Sequence, residues 1–258
     1  MKRIRVIPVL LIKGDGLVKS VQFKNHKYVG DPINAVKIFN EKEVDELAVI
    51  DISATKEKRA PNISKIAAIA GEAFMPLSYG GGVVSLEQVK ELFFNGIEKV
   101  IINKAAHTNP GLITKISDAF GVQSVVVSID VKKNWLGRYK VYTDNGSDSS
   151  GLDPVEFAKQ CEANGAGEIL LNSIDRDGTY KGYDLEVLNA VCDAINIPVV
   201  ACGGAGEVED FRKAVTEGKA SAVAAGSMFV FQRPHNAVLI SYPSQKQLKE
   251  KVYSVINP

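Results

Sequence analysis

The chain repeats itself. Ile50-Asp51-Ile52-Ser53 returns as Ser173-Ile174-Asp175-Arg176, and Tyr79-Gly80-Gly81-Gly82 as Cys202-Gly203-Gly204-Ala205, at a spacing of about 123 residues. Ile102-Asn103-Lys104-Ala105 falls opposite Ala224-Ala225-Gly226-Ser227 in the same way. A compatible fold must divide into two similar halves. Within each half, short apolar runs alternate with amphipathic segments of helical period, the pattern of successive βα units and a parallel sheet. The runs lie near 5–12, 46–52, 74–79, 99–102, 124–131, 168–171, 198–201 and 222–225. Helical periodicity covers 32–43, 62–71, 85–95, 110–120, 154–164, 185–195, 208–217 and 244–255. Strands and helices in this alternation close most naturally as an α/β (β/α)8 TIM barrel of one domain, with half-barrels at roughly 1–122 and 123–258. An open Rossmann-type sheet would want a third glycine and a helix directly behind Lys13-Gly14-Asp15-Gly16, and the sequence offers neither.

Composition narrows the function classes. At 258 residues the length suits a barrel, and a net charge of +1 implies no basic face for nucleic acid. Cys161, Cys192 and Cys202 are odd in number and match no zinc spacing, which points to a reducing cytoplasm. His26, His107 and His235 are too scattered for a histidine-rich metal site. The apolar run 4–12 behind Met1-Lys2-Arg3 has the outline of a signal peptide, but Arg5 interrupts it and no small-residue cleavage site follows. A buried strand is the better reading. No stretch approaches the roughly 20 apolar residues that span a membrane.

Two loops exceed what a plain βα unit needs. Residues 13–30 carry Lys19, Lys24 and Lys27, the composition of a mobile basic lid. Residues 132–151 alternate through Arg138-Tyr139-Lys140-Val141-Tyr142 and turn polar at Asp144-Asn145-Gly146-Ser147, as a small hairpin would. Both leave the C-terminal ends of strands, where barrel enzymes build their sites. Gly80-Gly81-Gly82 and Gly203-Gly204-Ala205-Gly206 allow close backbone approach, so that amide groups can face an anion. Such a turn alone is commonly no more than a tight turn. Two at equivalent places, completed by Asn103 and by Ala225-Gly226, suggest a ligand with a phosphate at each end lying across the mouth.

Asp51, Asp130, Asp175 and Asp177 lie at or just beyond strand ends, where an unpartnered carboxylate has no core role. Asp175-Arg176-Asp177 reads equally as a structural ion pair on a turn. Asp130 follows Val125-Val126-Val127-Ser128-Ile129 and points into the mouth. Sliding the first strand onto the fifth sets Leu11 against Asp130, and a leucine cannot share acid/base work with an aspartate. At the other end, Arg5, Glu46, Lys99 and Glu168 each begin a strand. Spacing alone describes them as a solvated rim.

These residues together resemble the cyclase subunit of imidazole glycerol phosphate synthase, a half-barrel-duplicated (β/α)8 protein. The resemblance runs from about residue 3 to 231. It is carried by Asp45-Glu46-Leu47, Asp51-Ile52, Tyr79-Gly80-Gly81-Gly82, Asn103, Ser128-Ile129-Asp130 and Gly203-Gly204-Ala205-Gly206. Its most specific stretch runs from Gly165-Ala166-Gly167-Glu168 through Asp175-Arg176-Asp177-Gly178-Thr179 to Gly182-Tyr183-Asp184. The resemblance implies a glutaminase subunit, a class I glutamine amidotransferase, docked on the N-terminal face. It implies ammonia passing a salt-bridge gate at Arg5, Glu46, Lys99 and Glu168, then rising through the apolar interior. It implies phosphate contacts at Lys19, Gly82 and Asn103 in one half, and at Asp177, Gly178, Gly204 and Gly226 in the other. Asp51, Gln123, Asn172 and Cys202 match positions around the substrate mouth. No cofactor or metal is implied.

Departures gather at the chemistry. The family uses an aspartate at the end of strand 1 and another at the end of strand 5. Asp130 matches the second, and the first is Leu11. Asn172 stands where a threonine is usual, Cys202 where a serine is usual and Gly226 where a serine is common. Loss of one positioned acid or base removes about 10²–10⁴-fold in rate. The resemblance therefore suggests a cytoplasmic paralogue that keeps the gate and conduit and passes ammonia to another amidotransferase, as in surface-polysaccharide sugar synthesis. A working cyclase of histidine biosynthesis, with Asp51 or Asp177 as substitute acid, is the alternative. A phosphosugar isomerase of the sister type also needs two strand-end aspartates and has no use for the gate.

Overall fold

The computed structural model describes residues 4–254. Residues 1–3, ahead of the first apolar run, and 255–258, which take in the end of the last predicted helix, lie outside the described residues. The barrel strands are β1 (Arg5–Lys13), β2 (Leu47–Asp51), β3 (Leu77–Gly80), β4 (Lys99–Ile102), β5 (Val125–Lys133), β6 (Glu168–Ser173), β7 (Val199–Cys202) and β8 (Ala222–Ala225). Each pairs in parallel with its neighbours, and β8 returns to β1 through Arg5 opposite Ala222 and Pro8 opposite Ala225. The sheet is closed, a (β/α)8 TIM barrel. Closure removes every strand edge, and the whole outer face is free to receive helices.

Those helices are α1 (Pro32–Glu41), α2 (Ile63–Ala70), α3 (Leu86–Phe94), α4 (Gly111–Phe120), α5 (Pro154–Ala163), α6 (Leu185–Cys192), α7 (Val208–Thr216) and α8 (Gln245–Leu248). Their starts are written locally. Asp31, Asn62, Ser85 and Asp153 cap α1, α2, α3 and α5 with side-chain oxygens on first-turn amides, and Pro32 and Pro154 supply a preset first turn. The last predicted helix is shorter than its periodicity suggests. After one α-turn capped by Ser244 it continues as a π-helical turn, Lys249–Tyr253.

Two cores follow from the pleat. Outward-facing strand residues such as Val6, Leu10, Val49 and Val127 pack against the helices in one large cluster. Inward-facing residues form a second, thinner one of Ile7, Val9, Ala48, Ile101, Val126, Leu170, Val200, Ala222 and Ala224. Because side chains alternate with period two, β1 sends Arg5, Ile7, Val9 and Leu11 inward, and β6 sends Glu168, Leu170 and Asn172. Charge at the bottom, hydrocarbon in the middle and polar groups at the top are stacked by that period.

Both long loops are hairpins. Gly16–Val21 pairs antiparallel with β1 and with Lys24–Gly30. Tyr139–Thr143 pairs with the extended end of β5, and its outer edge receives Asp148–Ser149. The internal repeat reappears here as chemistry. Gln22 Nε2 donates to the carbonyl of Asp175 at 2.9 Å, and Asn145 Nδ2 donates to the carbonyl of Ile52 at 2.6 Å. Donors and acceptors are each 123 residues apart, so each hairpin is pinned to the opposite half by the same bond. Gly81 and Gly204, also 123 residues apart, hold φ of +113° and +115°. At Gly81 an added Cβ would collide with the Asp51 carbonyl oxygen.

Candidate functional site

A cavity of about 880 Å³ opens at the C-terminal ends of the strands. Asp130, at the end of β5, forms its polar floor. Its carboxylate accepts from Asn103 Nδ2 at 3.1 Å and from Asn172 Nδ2 at 3.2 Å. Both amides stand on neighbouring strand ends, and Asn103 is also fixed by its bond to the Ser128 carbonyl at 2.9 Å. Burial pushes the Asp130 carboxyl up to about 7; the Asn172 and Asn103 bonds oppose that rise and the charge of Asp177 adds to it. Near neutrality this group is divided between its two protonation states.

Leu11 lines the same cavity, half-buried, between Ile50 of β2 and Val18 of the first hairpin. It extends the apolar lining of the barrel interior to the mouth. The side chain opposite Asp130 in the repeat has no proton to give or take.

Asp51 is committed elsewhere. Its carboxylate accepts from the Ser53 amide at 3.0 Å, the Ala54 amide at 3.1 Å and the Ser53 hydroxyl at 2.9 Å, and pairs with the Arg59 guanidinium at 3.1 Å. It holds the loop after β2. Arg59 also faces the cavity and is absent from the sequence-based reading, because one arginine in a basic loop carries no pattern. Asp175 is likewise a brace, accepting from the Lys133 amide at 3.0 Å.

Lys19 differs from its expected setting in two ways. It is buried, and it sits with the second half's group rather than with Gly82 and Asn103. Its Nζ donates to the Val9 carbonyl, passes over Gly226 and faces Asp177 and Cys202. A Cβ larger than a hydrogen at Gly226 would meet the ammonium, so the glycine makes this seat. Burial pushes the amine down to about 8 against the raising influence of Asp177. Burial also raises the Asp177 carboxyl, with Lys19 opposing it, and pushes the Cys202 thiol up to about 12, which keeps it protonated. Gly178 lies beneath the first hairpin, where an added Cβ would strike the Ser20 carbonyl.

Gln123 is a correction. It stands on the turn Val122–Ser124 ahead of β5, at the N-terminal end of the barrel, with Nε2 on the Phe120 carbonyl at 3.0 Å. A residue before the first position of a nine-residue strand that ends at the mouth is separated from it by the length of the barrel. Gly82, Gly204, Asn103 and Gly226 do line the cavity. Asn103 and Gly226, 123 residues apart, share one backbone conformation (φ −121°, ψ −86° and φ −113°, ψ −75°), and each opens a short helix that has no side-chain cap.

At the opposite end the four charged strand starts meet. Arg5 bonds Glu46 at 2.6 Å and also pairs with Glu168; Lys99 reaches Glu46 at 2.9 Å and Glu168 at 3.3 Å. Two cations and two carboxylates alternate in a closed ring beneath the apolar interior. Burial alone would lower the Arg5 pKa, and the two carboxylates more than offset it, so the guanidinium is held charged. The solvated-rim description does not fit a ring whose two carboxylate side chains are 6% and 9% exposed.

The fold agrees with the comparisons. The family model described as "Histidine biosynthesis protein" matches residues 5–234. The chain is 52% identical over 248 residues to a Pseudomonas aeruginosa protein whose name, imidazole glycerol phosphate synthase subunit hisF2, is itself provisional; the match covers 96% of this chain and 99% of that one. It is 41% identical over 243 residues to the imidazole glycerol phosphate synthase subunit HisF of Alkaliphilus metalliredigens, covering 94% of each. The chain belongs to the histidine biosynthesis protein family. Within it the chain is a divergent HisF-type barrel. A provisional hisF3 of Vibrio vulnificus, 47% identical over 251 residues and matched over 97% of this chain and 96% of that one, belongs to the same group of similar sequences. Among the described residues no helix of this HisF-type chain is long and apolar enough to cross a membrane.

Proposed function

We propose that this HisF-type barrel receives ammonia from a glutaminase subunit at its N-terminal face and hands it to another amidotransferase at its mouth, with little or no cyclase activity of its own. One observation carries the reading: the Arg5–Glu46–Lys99–Glu168 ring is complete while the mouth pairs Leu11, not a second carboxylate, with Asp130. Burying the two carboxylates of the ring costs several kcal/mol in desolvation before pairing with the part-exposed Arg5 and Lys99 offsets it. Such a ring at the end of an apolar bore serves a gate better than it serves stability. Above it, Ile7, Val9, Ala48, Ile101 and Leu170 offer neutral ammonia a largely apolar path, in which Ser78 and Ser128 contribute hydroxyls but no charge. Phe74 (89% exposed), Phe94 (91%) and Val122 lie ahead of β3, β4 and β5 on one side of the N-terminal face, as an apolar seat for the glutaminase. Sugar amidination in surface-polysaccharide synthesis is an example of a reaction such an acceptor enzyme would carry out.

Gly82 and Asn103 in one half, with Gly178, Gly204, Gly226 and Lys19 in the other, would hold the phosphates of a phosphorylated small molecule at the two ends of the mouth. A cyclase using a substitute acid is the second reading, and Asp51 is unsuited to that part. Its oxygens already serve two amides, a hydroxyl and a guanidinium.

Docking is tested with a purified class I glutaminase subunit. Addition of the barrel is expected to raise glutamine hydrolysis, and Phe94→Arg is expected to abolish the effect while the fold stays intact by circular dichroism. Equal stimulation by wild type and Phe94→Arg would remove the N-terminal face from the account.

A further inference from the structure

Of the ten large apolar side chains exposed among the described residues, three lie at the N-terminal end, ahead of β3, β4 and β5, and seven stand on loops that leave the C-terminal ends of strands. The most exposed of the seven is Trp135, the chain's one tryptophan, 90% exposed beside Leu136 at the tip of the β5 hairpin. The others include Val21 and Tyr28 on the first hairpin and Val238 and Leu239 on the last. The loops involved follow β1, β3, β5 and β8, so the apolar contacts are spread around the opening rather than gathered on one side.

Charge adds a direction. From Val131 to Thr143 the β5 hairpin carries Lys132, Arg138 and Lys140 and no acidic residue, while its Lys133 is paired with Glu186 at 2.8 Å. A tryptophan and a leucine at a convex tip, with cations behind them, fit an apolar pocket rimmed by carboxylates. A bilayer would engage the tip alone. Apolar side chains on loops on more than one side of a cavity are satisfied together only by a body that spans it, and ammonia crosses between proteins as the neutral species only where such a body keeps water out.

We infer that the C-terminal face is a second docking surface, on which the ammonia-consuming enzyme seats over the mouth with Trp135 and Leu136 as its anchor. The inference rests on the conduit reading for the identity of the occupant, and on the exposed side chains for the place.

The test places a photoreactive p-benzoylphenylalanine at position 135 of the full chain in its native host and identifies the cross-linked protein by mass spectrometry. The expected adduct is an enzyme that, purified, uses ammonium salts as nitrogen donor and becomes glutamine-driven when this chain and the glutaminase are added. The double variant Trp135→Ala/Leu136→Ser is expected to weaken binding of that enzyme about tenfold or more and to lower the glutamine-driven rate, leaving the ammonium-driven rate unchanged. An adduct with a protein that uses no ammonia, or no adduct at all, would overturn the inference. So would a blue shift of Trp135 emission on phosphatidylcholine–phosphatidylserine vesicles with sedimentation of the chain, which would assign the tip to a membrane. The conduit reading fails separately: if the double variant loses binding but the glutamine-driven rate is indifferent to Lys99→Ala at the ring, the docking surface stands and the channel does not.

Discussion

A carboxylate enclosed by a barrel and given only two neutral amides keeps its proton longer than one in water, and Asp130 is in that position. Its folded pKa of about 7 lies above the ordinary value near 4. The folded state therefore retains a proton that the unfolded chain releases between those values. The stability this group contributes is full below about pH 4 and is lost as pH rises through about 7. Asp130→Asn does not titrate. Denaturation of wild type and Asp130→Asn in parallel is expected to show the wild type losing stability relative to the variant between about pH 4 and 7, by no more than about 4 kcal/mol, with flat limbs on either side. A difference independent of pH would mean that water reaches the carboxylate. Leu11 bears on the same environment, since hydrocarbon at the end of β1 withholds both a charge and the water that a charge would draw. The side chain that is missing and the proton that is held belong to one arrangement.

Elements act through where their ends fall. Four strands begin with charges that meet below the bore, and Glu46, 4% exposed, touches both Arg5 and Lys99. Glu46→Ala leaves two cations on one carboxylate. Breaking a fully buried pair costs about 3–5 kcal/mol, and because Arg5 and Lys99 are part-exposed we expect about 1–3 kcal/mol here, read by urea denaturation. The hairpins act across the mouth. Gln22→Ala and Asn145→Ala each remove one side-chain bond to an opposing carbonyl, and each is expected to cost about 0.5–1.5 kcal/mol. The two bonds share no partner, so the double variant should cost their sum within about 0.5 kcal/mol, and amide exchange should rise in both hairpins. Strong non-additivity would show that the hairpins form one cap.

At the scale of the whole molecule, the eight barrel strands are legible because short apolar runs alternate with amphipathic, capped helices. Where the reading erred, local chemistry explains it. Phe74 to Pro76 carry apolar character without being strand, since β3 begins only after the proline, which has no amide to donate. Lys24–Gly30 is a strand exposed over most of its length, so it has no alternation to detect and resembles a basic loop. The two mouth asparagines and Asp130 fall where the period puts them. Lys19 does not: its seat depends on the hairpin folding back and on Gly226 leaving room, a meeting of residues far apart in sequence that no local pattern encodes. Gln123 shows the reverse case, a position matched by resemblance that the turn before β5 places at the wrong end. What the period and the repeat do predict is the pairing of Leu11 with Asp130 across the top of an otherwise intact barrel. The most direct test is cyclase turnover of the purified barrel with the formimino ribonucleotide substrate and excess ammonium salt, wild type beside Leu11→Asp. The account predicts a silent wild type and measurable turnover in Leu11→Asp, the gain falling in the range of about 10²–10⁴-fold expected of one restored acid/base group. Wild-type turnover at the rate of an ordinary cyclase, unchanged by the substitution, would contradict it.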